Sequence, residues 1–279
     1  MAVSVENYFN HNYPSFAKMP SLFRQGVISL FKRLFHEDEI NDVLKKNRHL
    51  DAFDFIEFVL DYFSIDITIN KNQLLRIPSY GRVVIIANHP LGALDSLALL
   101  NVIKEIRKDV KIVASNFLSE FKNLDSLLIP IENVKGKLQR ESVAAIYDAL
   151  NKEQAVIIFP SGEVSRARPN GIKDTKWKKG FLTVAQNTES PILPIFIDAK
   201  NSKTFYTISL INKTFSTLLL SHEMFKKKSK KINIKIGQII PNENISPKGI
   251  EQKFLVNLYR KHLYALRKGV KSFFETQSA

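Results

Sequence analysis

Apolar positions recur every three or four residues in the first part of the chain, and from about Leu75 they gather into short unbroken runs. Over residues 20–36 the stripe is Phe23, Val27, Leu30, Phe31 and Leu34, with Arg24, Lys32 and Arg33 beside it. That is a basic amphipathic helix of the kind that lies in a bilayer interface, or one that packs on its own core. A second helix over 50–63 sets Asp51, Asp54, Glu57 and Asp61 on one face and Phe53, Ile56, Val59, Leu60 and Phe63 on the other. Its acidic face is unsuited to anionic lipid, so this helix packs inward. Residues up to about 67 read as helical throughout.

Runs over 83–87, 111–114, 127–131, 155–159, 192–197, 205–211 and 232–240 read as strands, and helical periods over 94–106, 139–151 and 176–187 fall between several of them. Near-continuously apolar strands alternating with helices predict an α/β fold, its central sheet mostly parallel or mixed and covered by helices on both faces. The last two strands alternate apolar with polar positions and belong nearer an edge. Ser246-Pro247 marks the start of a terminal helix that runs to about residue 273. The expected organisation is an N-terminal helical, membrane-associating segment over 1–70 and an α/β domain over 71–279.

Composition narrows the chemistry. With no cysteine among 279 residues, disulfides, thiolate metal sites and cysteine nucleophiles are excluded. The net charge of +14 asks for an anionic partner, whether nucleic acid, membrane surface or acidic protein. No charge-free apolar stretch approaches the ~20 residues of a spanning helix, and residues 1–6 lack the pattern of a signal peptide.

The densest chemistry sits at Val83-Val84-Ile85-Ile86-Ala87-Asn88-His89-Pro90-Leu91-Gly92-Ala93-Leu94-Asp95. An apolar strand delivers a histidine into a Pro/Gly turn, and an aspartate opens the next helix. Open α/β sheets hold their sites at such strand ends. A near-neutral imidazole can take a proton from a hydroxyl, and a carboxylate on its other nitrogen fixes the tautomer. Three further clusters stand at strand ends: Ile129-Pro130-Ile131-Glu132-Asn133, Phe159-Pro160-Ser161-Gly162-Glu163-Val164-Ser165-Arg166, and Pro191-Ile192-Leu193-Pro194-Ile195.

In the order and spacing of these four blocks the chain resembles the glycerolipid acyltransferases, the lysophospholipid acyltransferase family, over about residues 81–197. Within it the chain is most similar to the hemolysin-like branch, which includes O-acyltransferases of lyso-aminolipids such as lyso-ornithine lipid. The resemblance implies that His89 is a general base and Asp95 its partner. It also implies that Asn88, Gly92, Glu132, Asn133, Phe159, Pro160, Ser161, Gly162, Glu163, Ser165, Arg166 and Pro194 bind substrate. Transfer would be direct, from acyl-CoA or acyl carrier protein as co-substrate, with backbone N–H groups near Gly162 holding the oxyanion and with no metal or other cofactor.

The departures from the family pattern are informative. Five residues separate His89 from Asp95 where four are usual, with Gly92 available to absorb the extra one. Asn133 and Val164 stand where arginines are common, and neither can replace a guanidinium on phosphate. The expected acceptor is therefore a lyso-aminolipid of the lyso-ornithine or lyso-glycine type, in preference to lysophosphatidic acid. Lys226, Lys227, Lys228, Lys230 and Lys231, and nearer the third block Lys173, Lys176, Lys178 and Lys179, suit anionic headgroups or donor phosphates. The expected partners are an anionic membrane and the acyl donor, with no nucleic acid. The expected location is peripheral, on the cytoplasmic face of the cell membrane.

Two other readings stand beside this one. An esterase using His89 with water lacks the Gly-x-Ser-x-Gly elbow around Ser161 and Ser165. A basic membrane- or nucleic-acid-binding protein without catalysis would interleave its aromatics with its lysines, and these aromatics lie in apolar helices.

Overall fold

The computed structural model describes residues 3–12, 16, 20–131, 133–134, 137–138, 140–169, 171–211, 219–226, 230–246, 249–269 and 274. Four helices open the chain: α1 (Val5–Asn12), α2 (Ser21–Phe35), α3 (Glu37–Lys46) and α4 (Ala52–Tyr62). Asp51 caps α4, its side chain accepting the N–H groups of Phe53 and Asp54 at 2.9 Å each. Phe55, Ile56, Val59 and Leu60 are buried in the main core, as the inward-packing reading of this helix expects.

A seven-stranded sheet follows, with a short helix α5 (Lys71–Leu74) after its first strand: β1 (Asp66–Ile69), β2 (Val83–Ala87), β3 (Val110–Ser115), β4 (Leu128–Ile131), β7 (Ala155–Ile158), β10 (Ile192–Asp198) and β11 (Lys231–Ile236). Two small antiparallel hairpins, β5 (Asn133–Val134) with β6 (Lys137–Leu138) and β8 (Arg166–Arg168) with β9 (Gly171–Lys173), stand apart from it. The strand order is β1-β11-β10-β2-β7-β3-β4, and every neighbouring pair is parallel except β10 with β11. The mostly parallel α/β reading holds.

All five residues of β2 are fully inaccessible, which is why it reads as an unbroken apolar run. The sheet has a core on each face. One lies under α4 and α6 (Ala93–Ile103), the other under α7 (Arg140–Asn151), α8 (Gly180–Asn187) and α11 (Gln252–Leu266).

Several expectations need correction. Residues 205–211 are helical, in α9 (Lys203–Ile211), not a strand. Ser202 starts this helix, its hydroxyl accepting the Phe205 N–H at 3.1 Å, and Phe205 and Tyr206 bury against Val164. The helical reading up to residue 67 fails at β1, which adds itself to the edge of the sheet alongside β11 in parallel register. β11 ends at Ile236, and Ile240 makes only an isolated bridge to Ile192. The terminal helix starts at Gln252, after Glu251, five residues beyond the proline expected to open it. Pro247 and residues 270–273 lie outside the described residues.

α2 carries Leu22, Phe23 and Leu30 exposed on one side while Ile28, Phe31 and Phe35 are buried. A last short helix, α10 (Leu220–Phe225), packs against α2. Among the described residues no helix is long and apolar enough to cross a membrane.

Candidate active site

The carboxyl ends of β2, β7 and β10 lie side by side, and the loops leaving them carry most of the residues singled out from sequence. Gly92 ends the β2 loop at φ 84° and ψ −131°, a conformation closed to residues with a side chain. That turn lets α6 begin at once, and Asp95, its third residue, reaches back over the helix start. Its Oδ2 accepts the N–H of Leu91 at 2.6 Å and of Gly92 at 3.1 Å. The helix N-terminus favours this negative charge.

The same oxygen lies 3.2 Å from His89 Nδ1. The longer His–Asp spacing is thus accommodated, and the pair meets. The distance is that of an ion pair, but the ring N–H is not aligned for a hydrogen bond, and Nδ1 and Asp95 Oδ1 have no such partner among the described residues. Such bonds commonly tighten only when substrate binds. Asp95 is 0% exposed and the His89 side chain 17%, with Nδ1 buried, so the accessible edge of the ring is the Nε2 side. Phe159 stacks on the imidazole with centroids 4.0 Å apart.

The loop after β7 folds back on His89. Ser165 donates its N–H to the His89 carbonyl at 2.7 Å, and its hydroxyl donates to Asp174 Oδ1 at 2.5 Å. Asp174 is fully buried and also accepts the His89 N–H at 3.2 Å and the Trp177 indole N–H at 2.9 Å. Burial pushes the Asp174 carboxyl above the ordinary aspartate range, and the bonds from Ser165, Trp177 and His89 pull it partly back.

Other expected site residues have different duties. Asn88 spends its amide on β10, donating to the Ile197 carbonyl at 2.8 Å and accepting the Ile197 N–H at 2.7 Å. Pro194 lies mid-strand in β10 in register with Ile86, packed where a Cβ on Gly237 would fall at 2.8 Å, so it shapes the sheet. Ser161 folds its hydroxyl onto the Glu163 carbonyl at 2.7 Å, and the carbonyl of buried Pro160 accepts the Lys178 N–H at 2.9 Å. The Gly162 N–H donates to the Phe159 carbonyl at 2.9 Å, so this amide is already engaged and the oxyanion role expected near it does not fall to Gly162 itself.

Glu163 accepts the Thr175 hydroxyl at 2.6 Å. Arg166 is buried with its guanidinium carbon 5.3 Å from the Phe205 ring centroid, and burial lowers its pKa while Glu163 raises it. Glu132 lies outside the described residues, and Asn133 is placed in β5 by its backbone alone. Of the basic residues singled out, Lys227 and Lys228 also lie outside.

Sequence reasoning missed Asp174, Trp177, Tyr264 and Asn201. Asn201 donates to the Pro90 carbonyl at 3.0 Å and so steadies the loop that links His89 to α6. The one available signal for Asp174 was its position as a lone acid among the lysines downstream of the third block.

An apolar groove of about 780 Å³, counting space open to solvent, is lined in part by α6, the helix that carries Asp95. Ala93, Ser96, Leu97 and Leu100 run along α6 as one wall, with Phe55 and Val59 of α4 opposite. Ala93 and Ser96 stand on either side of Asp95 in sequence at the start of α6, so the groove reaches the end of the helix that bears this carboxylate.

A histidine–carboxylate pair with an apolar groove along the same helix, on an α/β frame, suits transfer of a group carrying a hydrocarbon chain. The model of the family described as Acyltransferase matches residues 11–272, and the chain belongs to that family and is an acyltransferase. It is 30% identical over 222 residues to the lyso-glycine lipid O-acyltransferase of Phocaeicola vulgatus, covering 77% of this chain and 78% of that protein. It is 28% identical over 222 residues to the lyso-glycine lipid O-acyltransferase of Bacteroides thetaiotaomicron, covering 77% and 80%. The crystal structure of the 1-acyl-sn-glycerophosphate acyltransferase PlsC from Thermotoga maritima aligns over 87% of this chain and 97% of that one, at 16% identity and a TM-score of 0.46.

Proposed function

We propose that the chain moves a fatty acyl group from an acyl thioester to the free hydroxyl of a lyso-aminolipid of the lyso-glycine type. The observation that carries this reading is the His89–Asp95 pair, 3.2 Å apart, with an apolar groove along the helix that bears Asp95. His89 Nε2 removes the acceptor hydroxyl proton as that oxygen attacks the thioester carbonyl. Asp95 holds the Nδ1 side and stabilises the imidazolium. Collapse of the tetrahedral intermediate forms the ester, breaks the C–S bond and returns the proton to the departing thiolate. The groove along α6 takes a fatty chain, and the donor is acyl-CoA or an acyl carrier protein.

The two relatives named as lyso-glycine lipid O-acyltransferases support the acceptor. So does the absence of arginine at Asn133 and Val164, since neither side chain offers the paired donors that fit a phosphate. An acceptor with a long tail stays in the bilayer, so the enzyme works at a membrane surface. The exposed Leu22, Phe23 and Leu30 of α2 supply an apolar contact, and Arg33 and Lys32 lie on the same helix. The corresponding location is peripheral, on the cytoplasmic face of the cell membrane.

The test is acyl transfer by purified protein, with acyl-CoA and acyl carrier protein as donors and lyso-glycine lipid and lysophosphatidate as acceptors, products read by mass spectrometry. Diacyl product should come preferentially from lyso-glycine lipid, and His89→Ala should lower the rate by about 10³-fold or more in a folded protein. Wild-type activity in that variant removes the base. A strong preference for lysophosphatidate removes the acceptor.

A further inference from the structure

Asp95 governs the ring of His89, but a second buried carboxylate grips the same residue from its other end. We propose that Asp174 is a positioning residue for His89: with Ser165 it clamps the histidine main chain on both sides and thereby fixes where the imidazole stands. This rests on His89 being the base, as argued above.

The clamp is a closed circuit of three hydrogen bonds. The His89 N–H donates to Asp174 Oδ1 at 3.2 Å, the Ser165 hydroxyl donates to that oxygen at 2.5 Å, and the Ser165 N–H donates to the His89 carbonyl at 2.7 Å. Both peptide groups flanking the His89 side chain are pinned by it. What freedom is left to the side chain is taken up by the Phe159 stack at 4.0 Å and by Asp95.

Asp174 is itself immobilised. Its Oδ2 accepts the Trp177 indole N–H at 2.9 Å, its own N–H donates to the Tyr264 hydroxyl at 2.7 Å, and its carbonyl accepts from the Arg260 guanidinium. Tyr264 and Arg260 belong to α11, so Asp174 ties the C-terminal helix to the site. A carboxylate with no solvent exposure is costly to keep, and a packing role needs no charge there. Three donors from the β2 loop, the β7 loop and the segment before α8 converge on it, and only an acceptor with two oxygens serves them all. Proton transfer demands this fixity, because displacing a reacting group by about 1 Å costs on the order of 100-fold in rate.

The experiment compares Asp174→Ala, Ser165→Ala and His89→Ala in the full chain, with folding checked by circular dichroism and kcat and KM measured separately. Asp174→Ala should lower kcat by about 100-fold and Ser165→Ala by about tenfold, with both KM values within about threefold of wild type. If Asp174→Ala does not fold, Ser165→Ala decides alone. A folded variant with unchanged kcat, or one whose loss lies in KM, overturns the clamp. An active His89→Ala overturns the base on which the clamp depends, whereas an inactive His89→Ala beside fully active Asp174 and Ser165 variants overturns the clamp only.

Discussion

The Asn88 side chain and the Ile197 main chain exchange two hydrogen bonds, of 2.8 and 2.7 Å, across the parallel pair β2 and β10. The residue before His89 thus adds one more rung between β2 and β10 after β2 itself has ended. Both of its polar atoms are consumed, and it is buried. Its duty is to hold the β2 loop down, which the matched motif gave no means of telling from substrate binding.

Asn88→Ala leaves the Ile197 N–H and C=O buried without partners. At about 1–3 kcal/mol for an unsatisfied buried group, the expected loss of stability is about 2–4 kcal/mol, read by denaturant unfolding. Activity should fall with it because His89 loses its anchor. A midpoint unchanged from wild type would contradict this account.

Gly92→Ala separates two causes of damage. A Cβ there meets Leu220 and Val164 at 3.6 Å, an ordinary contact, so crowding contributes little. The backbone, at φ 84°, is the obstacle, and such strain costs about 1–3 kcal/mol. Relief of that strain would swing Asp95 off the Leu91 and Gly92 amides and away from His89. The expected result is a larger loss in kcat than in melting temperature, measured on the same preparation.

The groove sets a prediction for chain length. Leu100 lies two turns along α6 from Ala93 and lines the groove. Leu100→Trp fills space that a long acyl chain would occupy, at a cost of about 1–3 kcal/mol in overpacking. Competition between short and long acyl donors should shift toward the short ones relative to wild type. An unaltered product distribution would place the acyl chain elsewhere.

How much of this was legible follows from where each signal is generated. β2, its turn and α6 were readable because a strand buried on both faces must be continuously apolar, and the chemistry follows it directly. The four residues of β1 gave too short a pattern, and their half-exposed positions make an edge strand look like a helix end. The stretch Phe205-Tyr206-Thr207-Ile208-Ser209-Leu210-Ile211 is rich in strand formers, yet the Ser202 cap and the burial of Phe205 and Tyr206 make it helical; tertiary packing outweighs propensity there. Asp174 was invisible for a different reason. Its meaning lies in His89, Ser165 and Trp177 meeting around it, two of them from other segments of the chain, while in sequence it stands between Lys173 and Thr175 in a lysine-rich stretch.

The membrane contact proposed for α2 can be divided into apolar and electrostatic parts. Leu22, Phe23 and Leu30 are 84%, 61% and 54% exposed, so replacing all three with serine removes little from the folded core. At about 1 kcal/mol for each partly inserted side chain, the triple variant should bind anionic liposomes about 100-fold more weakly. Lys32 is already paired with Glu37 at 3.2 Å, which leaves Arg33 as the better electrostatic probe. Arg33→Ala should cost about 1 kcal/mol of binding at low salt and nothing at high salt, where screening has removed the interaction. Flotation assays at both salt concentrations read the two parts separately. Full binding by the triple variant would show that α2 is not the surface that meets the lipid.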